Sequence, residues 1–219
     1  MRIREHGFFG AGRRGYHHGR LKEALIEAAR TLIAQRGPAG FTLAEAAKLV
    51  GVTSAAPYRH FTDRNALMGE LARLGFELFA QRLLQAWDEA RPDAMLALQR
   101  MGAAYLAFAQ AEPGLYGAMF GNARALDAPE PGAAANKALE ILRKAAAAVL
   151  AQQGAASADP KALAFEIWCL SHGIATLAVA GCLDPAQPDS DPSAILARAA
   201  SSLIDSAVRR AAPAGPWSR

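Results

Sequence analysis

The residues of this sequence best suited to a chemical task lie in one short segment, Gly51 to Leu67. Hydroxyl, phenol, guanidinium and imidazole groups follow one another there, and all of them can form hydrogen bonds with phosphates or base edges. Residues 1–64 contain 11 Lys or Arg and 5 Asp or Glu, whereas residues 65–219 contain 13 and 15. A basic front end on a nearly neutral body indicates a polyanion partner, although a solvated basic surface gives the same counts.

Groups that could catalyse a reaction or bind a metal do not occur at useful spacings in the sequence. Cys169 and Cys182 form no Cys-x-x-Cys pair, so the sequence indicates neither a zinc site nor a disulfide framework. His172 could act as a base or a ligand, but it has no Ser or Asp partner at useful spacing. A hydrogen-bonded His in a helical core is the simpler interpretation. We predict that the protein is not an enzyme and needs neither a cofactor nor a metal.

One apolar stretch, residues 162–181, has about the length of a membrane-spanning helix. Glu166 and His172 lie inside it, and such groups are costly in lipid. The beginning of the chain, residues 1–7, lacks the apolar region of a secretory signal. The sequence therefore predicts a helix buried by protein, no membrane partner and a cytoplasmic location.

The pattern of a helix-turn-helix surrounds the polar segment. Apolar residues at helical spacing from Leu25 to Ile33 predict a first helix that ends at Gly37. Thr42 and Glu45 form a capping box, which predicts a second helix that ends at Gly51. A turn of three or four residues containing Gly, followed by another helix, completes this motif.

The third helix is predicted to start at a cap provided by Thr53 or Ser54. Pro57 then lies in the first turn, where a missing backbone N–H breaks no hydrogen bond. Thr62 or Asp63 is predicted to cap the next helix, which extends to about residue 90.

Beyond this motif the apolar spacing continues to be helical, and strand alternation and repeats are absent from the sequence. We predict an all-α protein with about nine helices in three parts: a flexible basic arm over 1–19, a helix-turn-helix domain over 20–64 and a helical bundle over 65–212. Loops are predicted over 121–133 and 184–192, and the tail after residue 213 is predicted to be frayed.

From about Tyr16 to Leu83 the sequence resembles the DNA-binding domain of the TetR family of bacterial transcriptional regulators. The matching residues are Ala28, Ala29, Gly37, Gly40, Phe41, Thr42, Ala46, Ala47, Gly51, Val52, Tyr58, Arg59, His60, Phe61, Arg64 and Leu67. Trp168, His172, Gly173 and Gly181 resemble the Trp-His-Gly type of C-terminal domain of one branch of the family. Ala44 departs from the family pattern, which often has Arg or another polar residue at that position.

The resemblance implies that the third helix reads DNA. Tyr58 is expected to reach a phosphate or base edge while Phe61 lies in the core, and His60 is expected to contact a phosphate. Ser54 and the neighbouring alanines would read base edges and thymine methyl groups. The predicted DNA-binding residues are Thr42, Thr53, Ser54, Ala55, Ala56, Tyr58, Arg59, His60 and Arg64. The alternatives are a core position for Tyr58 or His60, capping alone for Thr42 and solvated charges for Arg59 and Arg64.

Four basic residues near the beginning of the chain, Arg13, Arg14, Arg20 and Lys22, could add phosphate contacts or enter a minor groove. A disordered basic tail that does not contact DNA is the alternative.

For the bundle, the resemblance implies a small-molecule effector and a homodimer. The candidate ligand-binding residues are Tyr105, Phe108, Met119, Phe120, Trp168 and His172. Ordinary core packing is the alternative for each of them. The last two long helices are expected to form a four-helix interface, where small residues permit close approach. These residues are Gly173, Ala175, Ala178, Ala199, Ala200 and Ser201.

The sequence thus predicts a sequence-specific transcriptional regulator that binds a near-palindromic double-stranded operator as a homodimer. A repressor released by a small-molecule effector is the family's usual behaviour, and activation is the alternative. An all-helical enzyme would need a catalytic constellation in the bundle. A stand-alone interaction module would not need the basic front end.

Overall fold

The computed structural model describes residues 20–121, 129–183 and 190–212, and within these ranges the protein is helical. The predicted arm, with Arg13 and Arg14, lies outside the described residues, as do the tail from residue 213 and most of the two predicted loops. The described residues form eight α-helices and no strand. The helices are α1 (Leu21–Arg36), α2 (Leu43–Val50), α3 (Arg64–Trp87), α4 (Ala94–Ala111), α5 (Pro113–Phe120), α6 (Pro129–Gln152), α7 (Pro160–Val179) and α8 (Pro192–Ala211).

The predicted third helix of the helix-turn-helix is shorter than expected. It is a four-residue 3-10 turn, Ala56–Arg59, and no side chain caps it, so the expected cap at Thr53 or Ser54 is wrong. A second 3-10 turn, Asp88–Ala90, follows α3. The prediction of about nine helices therefore counted one 3-10 turn as a helix.

Two of the predicted loops are partly helical. Helix α6 already begins at Pro129, and α8 begins at Pro192. A proline is compatible with both starts because the first turn of a helix has no internal partner for that N–H. Asp191 caps α8 by accepting a hydrogen bond from the backbone N–H of Ala194 at 2.8 Å.

Local signals fix the first two helices as predicted. Gly37 ends α1 with φ 77°, and Gly51 ends α2 with φ 82°, which is the left-handed region that glycine adopts most easily. The hydroxyl of Thr42 accepts a hydrogen bond from the N–H of Glu45 at 3.2 Å. In return, the N–H of Thr42 donates to the carboxylate of Glu45 at 2.9 Å, which completes the capping box.

Helix α3 connects the two halves of the molecule. It starts beside α1 and continues through the bundle, where it packs against α4, α5 and α6. One continuous apolar core includes Leu25 and Phe41 of the first half together with Phe76 and Phe108 of the second. The predicted domain boundary at residue 64 therefore falls at the first residue of a shared helix.

Helix α5 approaches α1 unusually closely. A Cβ atom on Gly114 would lie 2.2 Å from the backbone oxygen of Arg30, and one on Gly121 would lie 2.3 Å from Cγ of Pro38. The carboxylate of Glu112, just before α5, forms ion pairs with Arg30 of α1 and with Arg82 of α3. The start of α5 is thus held against both preceding helices.

Among the described residues, α7 is the one helix long and apolar enough to cross a membrane. The central helix of a protein core has the same properties, and α7 packs against α4, α6 and α8. Helix α7 is therefore part of the bundle, but only 33% of its apolar stretch is buried, which is less than the sequence predicted.

Candidate nucleic-acid interface and ligand cavity

The 3-10 turn and its flanks, residues 53–60, form a segment that we call the recognition segment. Its backbone is held by hydrogen bonds of the i to i+3 type, from the N–H of Ala56 to the oxygen of Thr53 at 3.0 Å and from His60 to Pro57 at 2.9 Å. The ring of Pro57 is buried, and the next residue after the segment, Phe61, is 4% exposed. A buried base therefore supports the outward-facing side chains.

The outward face of the recognition segment consists of the residues that the sequence predicted. Tyr58 is 61% exposed, whereas the core aromatic is Phe61. His60 and Arg59 are also exposed, so the core alternative for His60 does not hold. The other exposed members are Thr53, Ser54 and Ala55, and Ala56 is half-buried.

Thr42 is exposed at the start of α2, but its polar groups are already engaged. Both its hydroxyl and its N–H interact with the carboxylate of Glu45. These hydrogen bonds, together with that from Arg36 at 2.9 Å, hold the pKa of Glu45 below its usual range. A phosphate at this helix start would have to displace or approach a carboxylate.

Arg64 has an internal role that the sequence did not indicate. Its Nε donates to the backbone oxygen of Phe41 at 3.0 Å, and its guanidinium also donates to the backbone oxygen of Pro38. The guanidinium lies 4.7 Å from the centroid of the Phe41 ring, in cation–π geometry. Arg64 thereby ties the start of α3 to the loop before α2.

A second candidate site is a cavity of about 240 Å³ in the bundle. Its walls come from α3, α4, α6, α7 and α8, with one residue from α5. Three of the predicted ligand residues line it, namely Tyr105, Phe120 and Trp168. The other three do not, namely Phe108, Met119 and His172.

These three residues have other positions in the bundle. Phe108 is fully buried and packs against the ring of Phe79, with 5.2 Å between the centroids. Met119 is fully buried beside Gly75, where a Cβ atom would lie 2.8 Å from the Met119 side chain. His172 lies behind the wall, in contact with residues that line the cavity.

His172 is part of a hydrogen-bonded aromatic cluster. Its Nδ1 lies 2.8 Å from the hydroxyl of Tyr116 and 3.2 Å from the hydroxyl of Tyr105. The imidazole stacks on the Tyr116 ring at 5.6 Å. Burial lowers the pKa of His172 and raises the pKa of both tyrosines, so all three groups are neutral near pH 7. The cluster therefore joins α4, α5 and α7 without any charge.

Sequence reasoning missed most of the cavity wall. The missed residues include Phe76, Phe79, Leu142, Ile167, Leu196 and Ile204. Each lies at ordinary helical spacing, which is the same for a residue that fills the core and for one that borders a cavity. Only the relative positions of five helices distinguish the two cases.

Two family models match this chain in succession. Residues 25–71 match "Bacterial regulatory proteins, tetR family", and residues 98–203 match "Tetracyclin repressor-like, C-terminal domain". The chain belongs to the TetR family. Members of this family are transcriptional regulators and not enzymes, in agreement with the prediction from the sequence. The narrower resemblance to the Trp-His-Gly branch stays a prediction.

Curated relatives match about half of the TetR-family chain. The nucleoid occlusion factor SlmA of Marinobacter nauticus is 32% identical over 102 residues, which are 47% of this chain and 52% of that protein. SlmA of Vibrio cholerae is 33% identical over 104 residues, 48% and 53% of the two chains. The chain thus spans about half the length of the curated relatives it matches.

Solved structures match almost the whole fold. A protein of unknown function from Rhodococcus sp. RHA1 has a TM-score of 0.74 at 30% identity, with 89% of this chain and 99% of that chain covered. The TetR family transcriptional regulator PfmR from Thermus thermophilus has a TM-score of 0.64 at 17% identity, with coverages of 83% and 97%. At this identity the second match shows the fold alone.

Proposed function

We propose that this protein is a sequence-specific DNA-binding transcriptional regulator, most simply a repressor, that a small molecule bound in the bundle cavity releases from its operator. The observation that carries the proposal is the recognition segment. Polar side chains face outward there from a buried Pro57 and Phe61, at the positions where the sequence predicts DNA contacts. Tyr58, exposed at 61%, is the residue on which we expect specific binding to depend most.

We assign DNA binding to residues 20–64 and effector binding and dimerisation to residues 65–212. The recognition segment would enter a major groove, with Arg59 and His60 near the backbone phosphates and Ser54 near base edges. Among the described residues, none of the side chains of Tyr58, Arg59 and His60 has an intramolecular hydrogen bond. These groups therefore need not break an existing contact in order to bind DNA.

Exposed apolar side chains on α7 support the assignment of a homodimer. Phe165, Leu177 and Val179 are 54%, 47% and 46% exposed, which is unusual for apolar side chains on one helix. A second copy packed on the side of α7 that holds Phe165 would bury this ring and would place two recognition segments in a two-fold arrangement. That arrangement fits a near-palindromic operator.

Helix α5 offers a physical connection between effector and DNA. Gly114 of α5 touches α1, and Gly121, the residue after α5, touches the loop that follows α1, whereas Phe120 lines the cavity. A ligand that displaces Phe120 would therefore shift the contact between α5 and α1. Release from DNA requires that the ligand bind more tightly to a state that does not bind DNA than to the state that does.

The test is fluorescence anisotropy of the purified protein with a duplex from upstream of its own gene, at several salt concentrations. Specific binding should survive an excess of random duplex, and Tyr58→Ala should abolish it while the dimer persists in sedimentation. Leu96→Ala serves as the control, because Leu96 is also exposed, at 46%, but lies on α4 in the bundle. Normal operator binding by Tyr58→Ala would contradict the assignment of the recognition segment.

A further inference from the structure

We infer that the cavity binds an uncharged, mainly apolar molecule of roughly ten non-hydrogen atoms, whose polar group lies at the rim between α4, α6 and α8. This inference deepens the proposed function, because it names the chemical class of the effector. Its first test is binding alone, so that it can fail or succeed independently of DNA.

The wall of the cavity excludes a charged ligand. None of the described residues that line it is Asp, Glu, Lys, Arg or His. An ion moved from water into such a site would lose its hydration without gaining a counter-charge, which disfavours its binding. His172 lies behind the wall against Tyr105, and burial keeps it neutral near pH 7 by lowering its pKa.

The interior of the cavity is mainly aromatic and aliphatic. The rings of Phe76 and Phe120 meet edge to face at 5.5 Å, and those of Phe79 and Tyr105 at 5.0 Å. The hydroxyl of Tyr105 lies 3.2 Å from His172 Nδ1. The hydroxyl of Ser171 donates to the backbone oxygen of Ile167 at 2.8 Å, and Ser201 of α8 adds a half-buried hydroxyl to the wall. The inner end therefore suits the apolar part of a ligand.

The rim has a different chemistry. Gln99 of α4, Asn136 of α6 and Ser193 of α8 line the cavity and are exposed. Amide and hydroxyl groups can donate to and accept from a neutral oxygen, but they offer no net charge. A ketone, alcohol, ester or amide group of a ligand would be hydrogen-bonded at this end, while the apolar part of the ligand would contact the aromatic rings.

The volume sets the size of the ligand. An apolar cavity of about 150 Å³ holds benzene, which has six non-hydrogen atoms. In proportion, about 240 Å³ holds roughly ten non-hydrogen atoms. A single ring with a short side chain satisfies both this size and the arrangement of aromatic wall and polar rim.

The experiment compares two probes of the same shape by calorimetry on the full-length protein. The first is the neutral ketone 4-phenylbutan-2-one, and the second is 3-phenylpropanoate, in which an oxyanion replaces the methyl group. We expect the ketone to bind at least about tenfold more tightly at pH 7, because the carboxylate loses part of the hydration of a charge at the rim without gaining a counter-charge. Equal or tighter binding of the carboxylate, or no binding of the ketone, would overturn the inference.

A matched pair of variants locates the binding. Ala103 and Ala107 are both exposed on α4, one turn apart, but only Ala103 lines the cavity. Ala103→Phe should weaken ketone binding about fivefold or more by filling the rim, whereas Ala107→Phe should leave it unchanged. Equal effects of the two variants would place the probe elsewhere and overturn the inference. Thermal unfolding of both variants checks that each is folded.

The outcomes separate this inference from the proposed function. If the ketone binds through the rim but operator affinity does not change, the ligand class stands and regulation by this cavity fails. If the protein binds its operator specifically but prefers the carboxylate, the DNA-binding function stands and the ligand class is wrong.

Discussion

The recognition segment and the bundle cavity use similar side chains in opposite ways. Tyr58 is exposed and has no internal hydrogen bond among the described residues, whereas Tyr105 is buried and its hydroxyl meets His172. His60 is exposed, whereas His172 is held between two tyrosines. Residue type alone therefore does not separate an outward-facing polar group from one that is engaged inside the core, and burial does.

The two regions meet at α5, whose two faces are built differently. One face contains glycines and lies against α1, and the other presents Tyr116 and Phe120 to the His172 cluster and the cavity. A displacement on the cavity face of α5 would be transmitted to the face against α1, because well-packed interiors deform little. The following predictions test the contrast between the regions and this joint, in order of decreasing effect.

The largest effect on stability is expected from the aromatic pair of the recognition segment. Phe61→Ala should lower the free energy of unfolding by about 3–5 kcal/mol, because it removes a buried ring. Tyr58→Ala should change it by less than about 0.5 kcal/mol, since the ring is exposed. Urea titration measures both values. A comparable loss of stability in Tyr58→Ala would mean that Tyr58 supports the fold.

A smaller effect is expected where α5 touches α1. Gly114→Ala should cost about 2–3 kcal/mol of unfolding free energy, because the new Cβ would meet the backbone oxygen of Arg30 at 2.2 Å. The matched control is Gly117→Ala, whose Cβ would meet the Cγ2 atom of Ile33 at 2.9 Å and no backbone atom. Only the buried side chain of Ile33 must shift there, so we expect a smaller cost of about 1–2 kcal/mol. Equal costs in thermal unfolding would show that α5 adapts freely.

The sequence predicted those parts of the fold that local chemistry determines. The capping box at Thr42 and Glu45 and the cap at Asp63 start helices where expected, and Gly37 and Gly51 end them. Such signals act within four residues, so no tertiary information is needed to interpret them. The spacing of the helix-turn-helix and the family follow from the same local pattern.

The parts that the sequence did not predict depend on contacts between distant residues. The bonds from Arg64 join residues separated by 23 and 26 positions, and the pairing of Tyr105 with His172 spans 67 positions. The cavity arises from the spacing between helices, which the apolar periodicity of the sequence does not reveal. The 3-10 form of the recognition segment also escaped prediction, because a turn of four residues with Pro57 resembles a short α-helix in sequence.

Arg64 tests whether a side chain next to the recognition segment serves DNA or the fold. Its guanidinium is predicted to contact a phosphate, but in the structure it bonds to backbone oxygens of the loop before α2. Arg64→Lys keeps the charge but loses the fork that reaches two backbone oxygens, so we expect a loss of about 1–2 kcal/mol in unfolding free energy. Arg59→Lys is the control on the exposed surface and should leave stability unchanged. If Arg64→Lys keeps full stability and loses operator affinity in anisotropy, the phosphate contact is the dominant role of Arg64.

The smallest effect concerns an ion-pair group that joins α1 to α3. Glu70 accepts hydrogen bonds from Arg73 and pairs with Lys22 at 2.8 Å, which lowers the pKa of Glu70 to about 2. Because the folded pKa lies below the unfolded value, this stabilisation is complete above about pH 4.5 and disappears as the pH falls towards 2. We expect Glu70→Gln to cost only about 1 kcal/mol at pH 7, since solvent screens the group.

At pH 3 the variant and the wild type should differ less than at pH 7, as measured by urea titration at both values. Glu23→Gln, an exposed change on α1, is the control and should show no such convergence. A gap between Glu70→Gln and the wild type that stays constant from pH 7 to pH 3 would mean that the Glu70 side chain contributes through packing instead of charge. The contact between α1 and α3 at this point would then depend on packing, whereas the start of α5 is also held to α1 by the ion pair of Glu112 with Arg30.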